Sequence, residues 1–188
     1  MPNVTNPTMV ILAVVVVIAA LALAWMYVQR QRRAHLRERF GPEYDRTLHA
    51  VGTTGRAEAV LAEREKRVSS YHIRKLSEED RRRYSDSWRG VQSRFVDDPG
   101  GAITDADTLV TDVMTARGYP MSDFDRRVED LTVDHADVVH HYRAACEIAG
   151  RHARRQASTE ELRQGLVHYR ELFANLLADE EPVQRRRA

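Results

Sequence analysis

From Met9 to Val28 the chain reads MVILAVVVVIAALALAWMYV, with no charged side chain in twenty positions. Twenty residues at about 1.5 Å each make a helix roughly 30 Å long, the thickness of a bilayer's hydrocarbon core. A single helix pairs all of its own backbone donors and acceptors, as that core requires. Val and Ile are modest helix formers in water, but in lipid hydrophobicity outweighs their small penalty. The pattern therefore predicts a transmembrane helix over 9–28, with Trp25 and Tyr27 at its headgroup end.

Beyond position 40 the apolar residues recur at spacings of three and four, the signature of amphipathic helices. Phe40, Tyr44, Leu48 and Val51 make a first stripe, starting around Gly41 as a stop and Pro42 as an initiator. Residues 56–68 are rich in Ala, Glu and Arg with few apolar positions, which predicts a largely exposed helix. Ser77 with Asp80 caps the next, where Tyr84, Trp88, Val91 and Phe95 form the strongest stripe. Asp98 caps a helix with Ile103, Ala106, Leu109, Val110, Val113 and Met114 on its apolar face. Ser122 is expected to cap a short helix with Phe124, Val128 and Leu131 inward, and Asp134 with Asp137 to cap the following one. Ser158 and Glu161 form a capping box ahead of Leu162, Leu166, Tyr169, Leu172, Phe173 and Leu176. No stretch alternates with period two, and no Asn-Gly or Asp-Gly hairpin turn occurs. The fold class is all-α: one transmembrane helix and a soluble bundle of about six or seven helices. The expected organisation is a short outer terminus (1–8), the span (9–28), a basic juxtamembrane segment (29–41), a helical domain (42–178) and a charged tail (179–188).

Charge then supplies a direction. No Lys or Arg precedes the span, whereas Arg30, Arg32, Arg33, Arg37 and Arg39 follow it. The positive-inside rule puts the N-terminus outside and the domain in the cytoplasm, at a bacterial inner membrane. The alternative is a signal sequence cleaved near Ala22-Leu23-Ala24, releasing a periplasmic envelope-stress protein; a signal peptide carries its positive charge ahead of the apolar run, however. Arg30, Arg32 and Arg33 also stand where they would meet anionic lipid headgroups. With 29 basic against 28 acidic residues the net charge is +1, and no aromatic residues are interleaved with the arginines, so nucleic acid is not an expected partner. A single cysteine, Cys146, excludes an internal disulfide and fits a reducing compartment.

Candidate chemistry is sparse. Asp137, His140 and His141 fall within one helical turn, and His168 is the nearest further ligand by type. That set is a weak metal-site candidate and the basis of an alternative reading as a metal-dependent enzyme; a polar helix face is the ordinary explanation. Cys146 lies among alanines mid-helix, where a thiol behaves as a small apolar group. Gly-rich phosphate loops and nucleophile motifs are absent, so no cofactor and no enzymatic activity are expected.

The block Arg37-Glu38-Arg39-Phe40-Gly41-Pro42-Glu43-Tyr44-Asp45-Arg46-Thr47 resembles one shared by a family of uncharacterised bacterial proteins with a hydrophobic N-terminal segment. The resemblance extends through Ala59 to Arg67, Trp88, the 94–99 stretch and the segments 158–163 and 168–170. It implies a membrane or secreted helical protein and no activity, cofactor or catalytic residue. The expectation is thus a membrane-anchored interaction or scaffold domain that tethers a protein partner, or assembles with itself, with Phe40, Gly41, Pro42 and Tyr44 as candidate partner contacts.

Overall fold

The computed structural model describes residues 7–121 and 123–178. Among them are eight helices and no strand: α1 (Pro7–Phe40), α2 (Pro42–Val51), α3 (Thr54–Ser69), α4 (Glu78–Arg94), α5 (Pro99–Arg117), α6 (Phe124–Asp134), α7 (Val139–Ala153) and α8 (Thr159–Leu177). One compact unit ends at Glu38 and a second begins at Arg39.

The first unit is the apolar helix. Its side chains from Met9 to Val28 are exposed, and none of its most hydrophobic window is buried by protein. By length and composition it suits a membrane span, and by its place near the N-terminus it suits a signal sequence equally. Trp25 and Tyr27 are 67% and 63% exposed, and Tyr27 accepts a hydrogen bond from Gln31 one turn on.

In the second unit the core is built by α4, α5, α7 and α8. α5 lies against α4, α7 and α8, and α7 pairs with α8 across the short link 154–158. Trp88 of α4 stacks on Phe173 of α8 with ring centroids 4.7 Å apart. Ile103, Val110, Val113 and Met114 of α5 are sealed from water, as are Tyr142, Tyr169 and Leu172. Burying each such side chain contributes about 1.5–3 kcal/mol, which is why this layer holds the domain.

Local signals set the helix ends. Gly41 (φ 46°) makes the turn between α1 and α2, and Pro42 opens α2. Ser77 accepts from the Asp80 N–H, Asp98 from that of Gly101, and Ser158 and Glu161 close both halves of a capping box. α5 and α7 end in the same closing turn, in which two backbone N–H groups return to carbonyls of the last helical turn. Gly118 supplies the left-handed residue in the first, at φ 92°. Arg155 supplies it in the second, at φ 57°, where a side chain is strained.

Three local expectations need correction. Asp123 caps α6, accepting from the Arg126 N–H, and Ser122 lies outside the described residues. Phe124 is 38% exposed, because the first turn of α6 only grazes the core, its ring tilted against Tyr142 at 5.6 Å. Asp134 does not cap α7: it is the last residue of α6, and α7 begins at Val139 behind Val138, which makes no side-chain cap. Tertiary pairing with Arg39 takes that carboxylate instead. The expected tail, 179–188, also lies outside the described residues.

Candidate functional site

Arginine and acid pairs far apart in sequence tie α3 to α6, Arg39 to both, and α2 to α7. Arg39, only 7% exposed, donates to Glu65 of α3 (2.7 Å), to Asp134 of α6 (3.3 Å) and to the Val133 carbonyl. Arg67 reaches Asp130 and Glu129, Arg64 also reaches Glu129, and Tyr71 donates to Asp130 at 3.0 Å. Arg143 of α7 grips Glu43 of α2 through both terminal nitrogens. Burial raises the Asp134 carboxyl above its ordinary range, and Arg39 works against that shift. These pairs account for the block around Phe40 structurally. Phe40 and Tyr44 are 0% and 1% exposed, so their side chains are core and not available as partner contacts. Gly41 is half-buried, and Pro42 with Asp45 and Arg46 forms the exposed face of that block.

A cleft of about 870 Å³ opens between α6 and α7, with Arg46, Arg64, Arg127 and Arg143 among its walls. At its base Tyr169 donates to Asp107 at 2.8 Å, with the Cys146 sulfur 3.7 Å from the Tyr169 hydroxyl. Burial pushes the thiol up to about 12, so Cys146 is a neutral group and not a nucleophile at ordinary pH. Tyr169 is likewise held protonated, chiefly by burial. Asp125, Glu129 and Glu147 also line the cleft, so cations and anions balance there and its charge selects no ligand class.

The histidines divide in two. His135 is sealed between Tyr119 and Asn175: its Nδ1 meets the Asn175 amide oxygen and its Nε2 lies 3.0 Å from the Tyr119 hydroxyl. Burial, aided by the Arg117 charge, lowers its pKa to about 4, so it is neutral and structural. His140, His141 and His168 instead gather on the α7–α8 hairpin. The Nδ1 atoms of His141 and His168 approach to 2.8 Å, and the rings of His140 and His141 lie 3.9 Å apart. Asp137 is exposed in the turn before α7. No three or more His, Cys, Asp or Glu side chains among the described residues stand together as a ready metal site. Sequence reasoning named His168 by type alone; its meeting with His141 depends on how the two helices register.

Outside comparison adds no constraint. No family model, curated protein or solved structure matches this chain. The site must therefore be read from its own chemistry.

Of the residues assigned to the membrane boundary, Trp25, Tyr27, Arg30, Arg32 and Arg33 are all exposed along α1. The basic run Arg81-Arg82-Arg83 is a solvated face: Arg81 pairs with Glu78 and Arg83 with Asp80, each three residues back.

Proposed function

We propose that this chain is a single-pass membrane protein whose helical domain faces the cytoplasm and works by binding, holding a protein partner or a second copy of itself at the inner membrane. The observation that carries the reading is the apolar surface of α1 from Met9 to Val28, which is exposed among the described residues. An uncovered helix of that length is stable in lipid and insoluble in water. The arginines directly behind the span give the direction, because cationic loops are retained on the cytoplasmic side. A binding role fits a domain whose buried ionisable groups are spent on holding helices together. Cys146 is a neutral thiol, His135 is locked between two side chains, and the buried ion pairs join α2, α3, α6 and α7.

The test is extraction followed by cross-linking in a bacterial host. The full chain should stay in the membrane pellet after an alkaline carbonate wash, and a short amine cross-linker should give a discrete adduct with one partner or with itself. Release of the protein by carbonate would remove the anchor. Retention without any discrete adduct would remove the binding role.

A further inference from the structure

We propose that His141 and His168 form a binding site for a divalent transition-metal ion of the zinc class at the α7–α8 hairpin. The contact between the two rings is an unusual one. Two neutral imidazoles carry one N–H each, and the hydrogen sits more often on Nε2; here both Nδ1 atoms point at each other across 2.8 Å. Two lone pairs cannot rest at that distance without something positive between them, either a proton or a metal ion.

The metal fits with little movement. Zinc–imidazole bonds are about 2.0–2.1 Å, and a tetrahedral angle between two of them separates the nitrogens by about 3.3 Å. The rings need to part by only about half an ångström. Imidazole nitrogen selects zinc, copper, nickel or cobalt over magnesium or calcium, which prefer oxygen.

Two carboxylates lie within electrostatic reach of the pair, and a side-chain rotation would bring one of them onto the ion. α7 and α8 are joined by a short link and run antiparallel, so moving toward the start of α7 matches moving toward the end of α8. Glu171 follows His168 by one turn of α8 and Asp137 stands in the turn that leads into α7, which puts both acids toward the same end of the histidine pair. Burial lowers the His141 pKa, as do His140 and His168, and the charges of Glu171 and Asp137 only oppose that shift. Glu171 pairs with the adjacent Arg170 at 2.9 Å, an exposed pair that costs little to release. The exposed His140 ring lies tilted against that of His141 and takes no part in the site.

The experiment uses the untagged full chain in detergent micelles, titrated with Zn²⁺ by calorimetry and with Co²⁺ by visible absorption. One equivalent should bind saturably. His141→Gln and His168→Gln should each weaken binding at least tenfold and Glu171→Gln severalfold, while His140→Gln and His49→Gln leave it within twofold. Imidazole ¹⁵N spectra of the unmodified protein give a readout free of any folding defect in the variants: Zn²⁺ should move the Nδ1 signals of His141 and His168 and leave those of His135 in place. Absence of saturable one-equivalent binding would overturn the site, as would binding that survives His168→Gln or shifts confined to other histidines.

Discussion

α1 and α5 are the two helices in which apolar character dominates, and they meet opposite fates. α5 interleaves its apolar face with Thr104, Asp105, Thr108, Thr111 and Asp112, and α4, α7 and α8 close over that face. α1 carries apolar residues all the way round from Met9 to Val28, and among the described residues all of them are exposed. A stripe asks for a protein neighbour, while a fully apolar cylinder asks for a solvent. The contrast teaches that hydrophobicity by itself does not assign a helix to a core or to lipid; its distribution around the axis does.

The largest expected effect breaks the contrast from both sides. Val16→Arg with Ile18→Arg places two charges mid-span at about 2.5–3.5 kcal/mol each, and the protein should leave the membrane pellet while the domain keeps its helical circular dichroism. Val110→Arg, at a position with 0% exposure in α5, should do the reverse, with the domain unfolded and the protein still membrane-bound.

Next comes the ionic layer, where a buried pair does what α5 does with methyl groups. Arg39→Met strands Asp134, whose side chain is 5% exposed, beside Glu65. Removing one partner of a buried pair costs about 3–5 kcal/mol, and urea denaturation should register it. Double replacement with Asp134→Leu should recover part of the loss.

Acid sharpens the comparison further, because it acts on the domain and spares the apolar helix. His135 is neutral in the fold with a pKa near 4, against 6.5 as its ordinary value. As pH falls the unfolded chain takes the proton first, so this contribution is complete above pH 6.5 and is lost progressively toward pH 4, by about 3 kcal/mol. Urea midpoints at pH 7 and pH 4.5 should differ more in the native protein than in His135→Gln, although the variant is less stable at neutral pH.

The smallest effects set two closing turns against each other. A Cβ on Gly118 would stand 2.5 Å from the His72 carbonyl oxygen in a left-handed conformation, so Gly118→Ala should destabilise by about 2 kcal/mol. Arg155 holds the equivalent conformation with a side chain, and Arg155→Gly should stabilise by about 1 kcal/mol in the same assay. Equal signs for the two would refute the shared-turn reading.

Much of this fold was legible in the chain because its cues are local. Ser77, Asp98 and Ser158 cap where short-range rules put them, and the Tyr84, Trp88 and Val91 stripe is core. Where two local rules competed, reading failed: Asp123 rather than Ser122 starts α6, and Phe124 follows helical spacing yet sits too near the helix end to be covered. The rest was illegible for a different reason. The hydrogen bond of Arg39 to Asp134 spans 95 positions and that of Arg143 to Glu43 spans 100, so no pattern within a helix encodes them. Asp134 looked like a cap for want of its true partner. The histidine pair shows the boundary between the two cases: Asp137, His140 and His141 are visible as neighbours in sequence, whereas the contact of His141 with His168 exists only once α7 and α8 have packed.

The account rests on α1 lying in lipid with the domain behind it on the cytoplasmic side. Val96, 81% exposed, offers the most direct probe: Val96→Cys in a Cys146→Ala background gives the domain a single accessible thiol. A membrane-impermeant maleimide added to intact bacterial spheroplasts should leave it unlabelled and should label it fully once the membrane is permeabilised. Full labelling in the intact spheroplasts, or recovery of the labelled protein in the medium, would contradict the account.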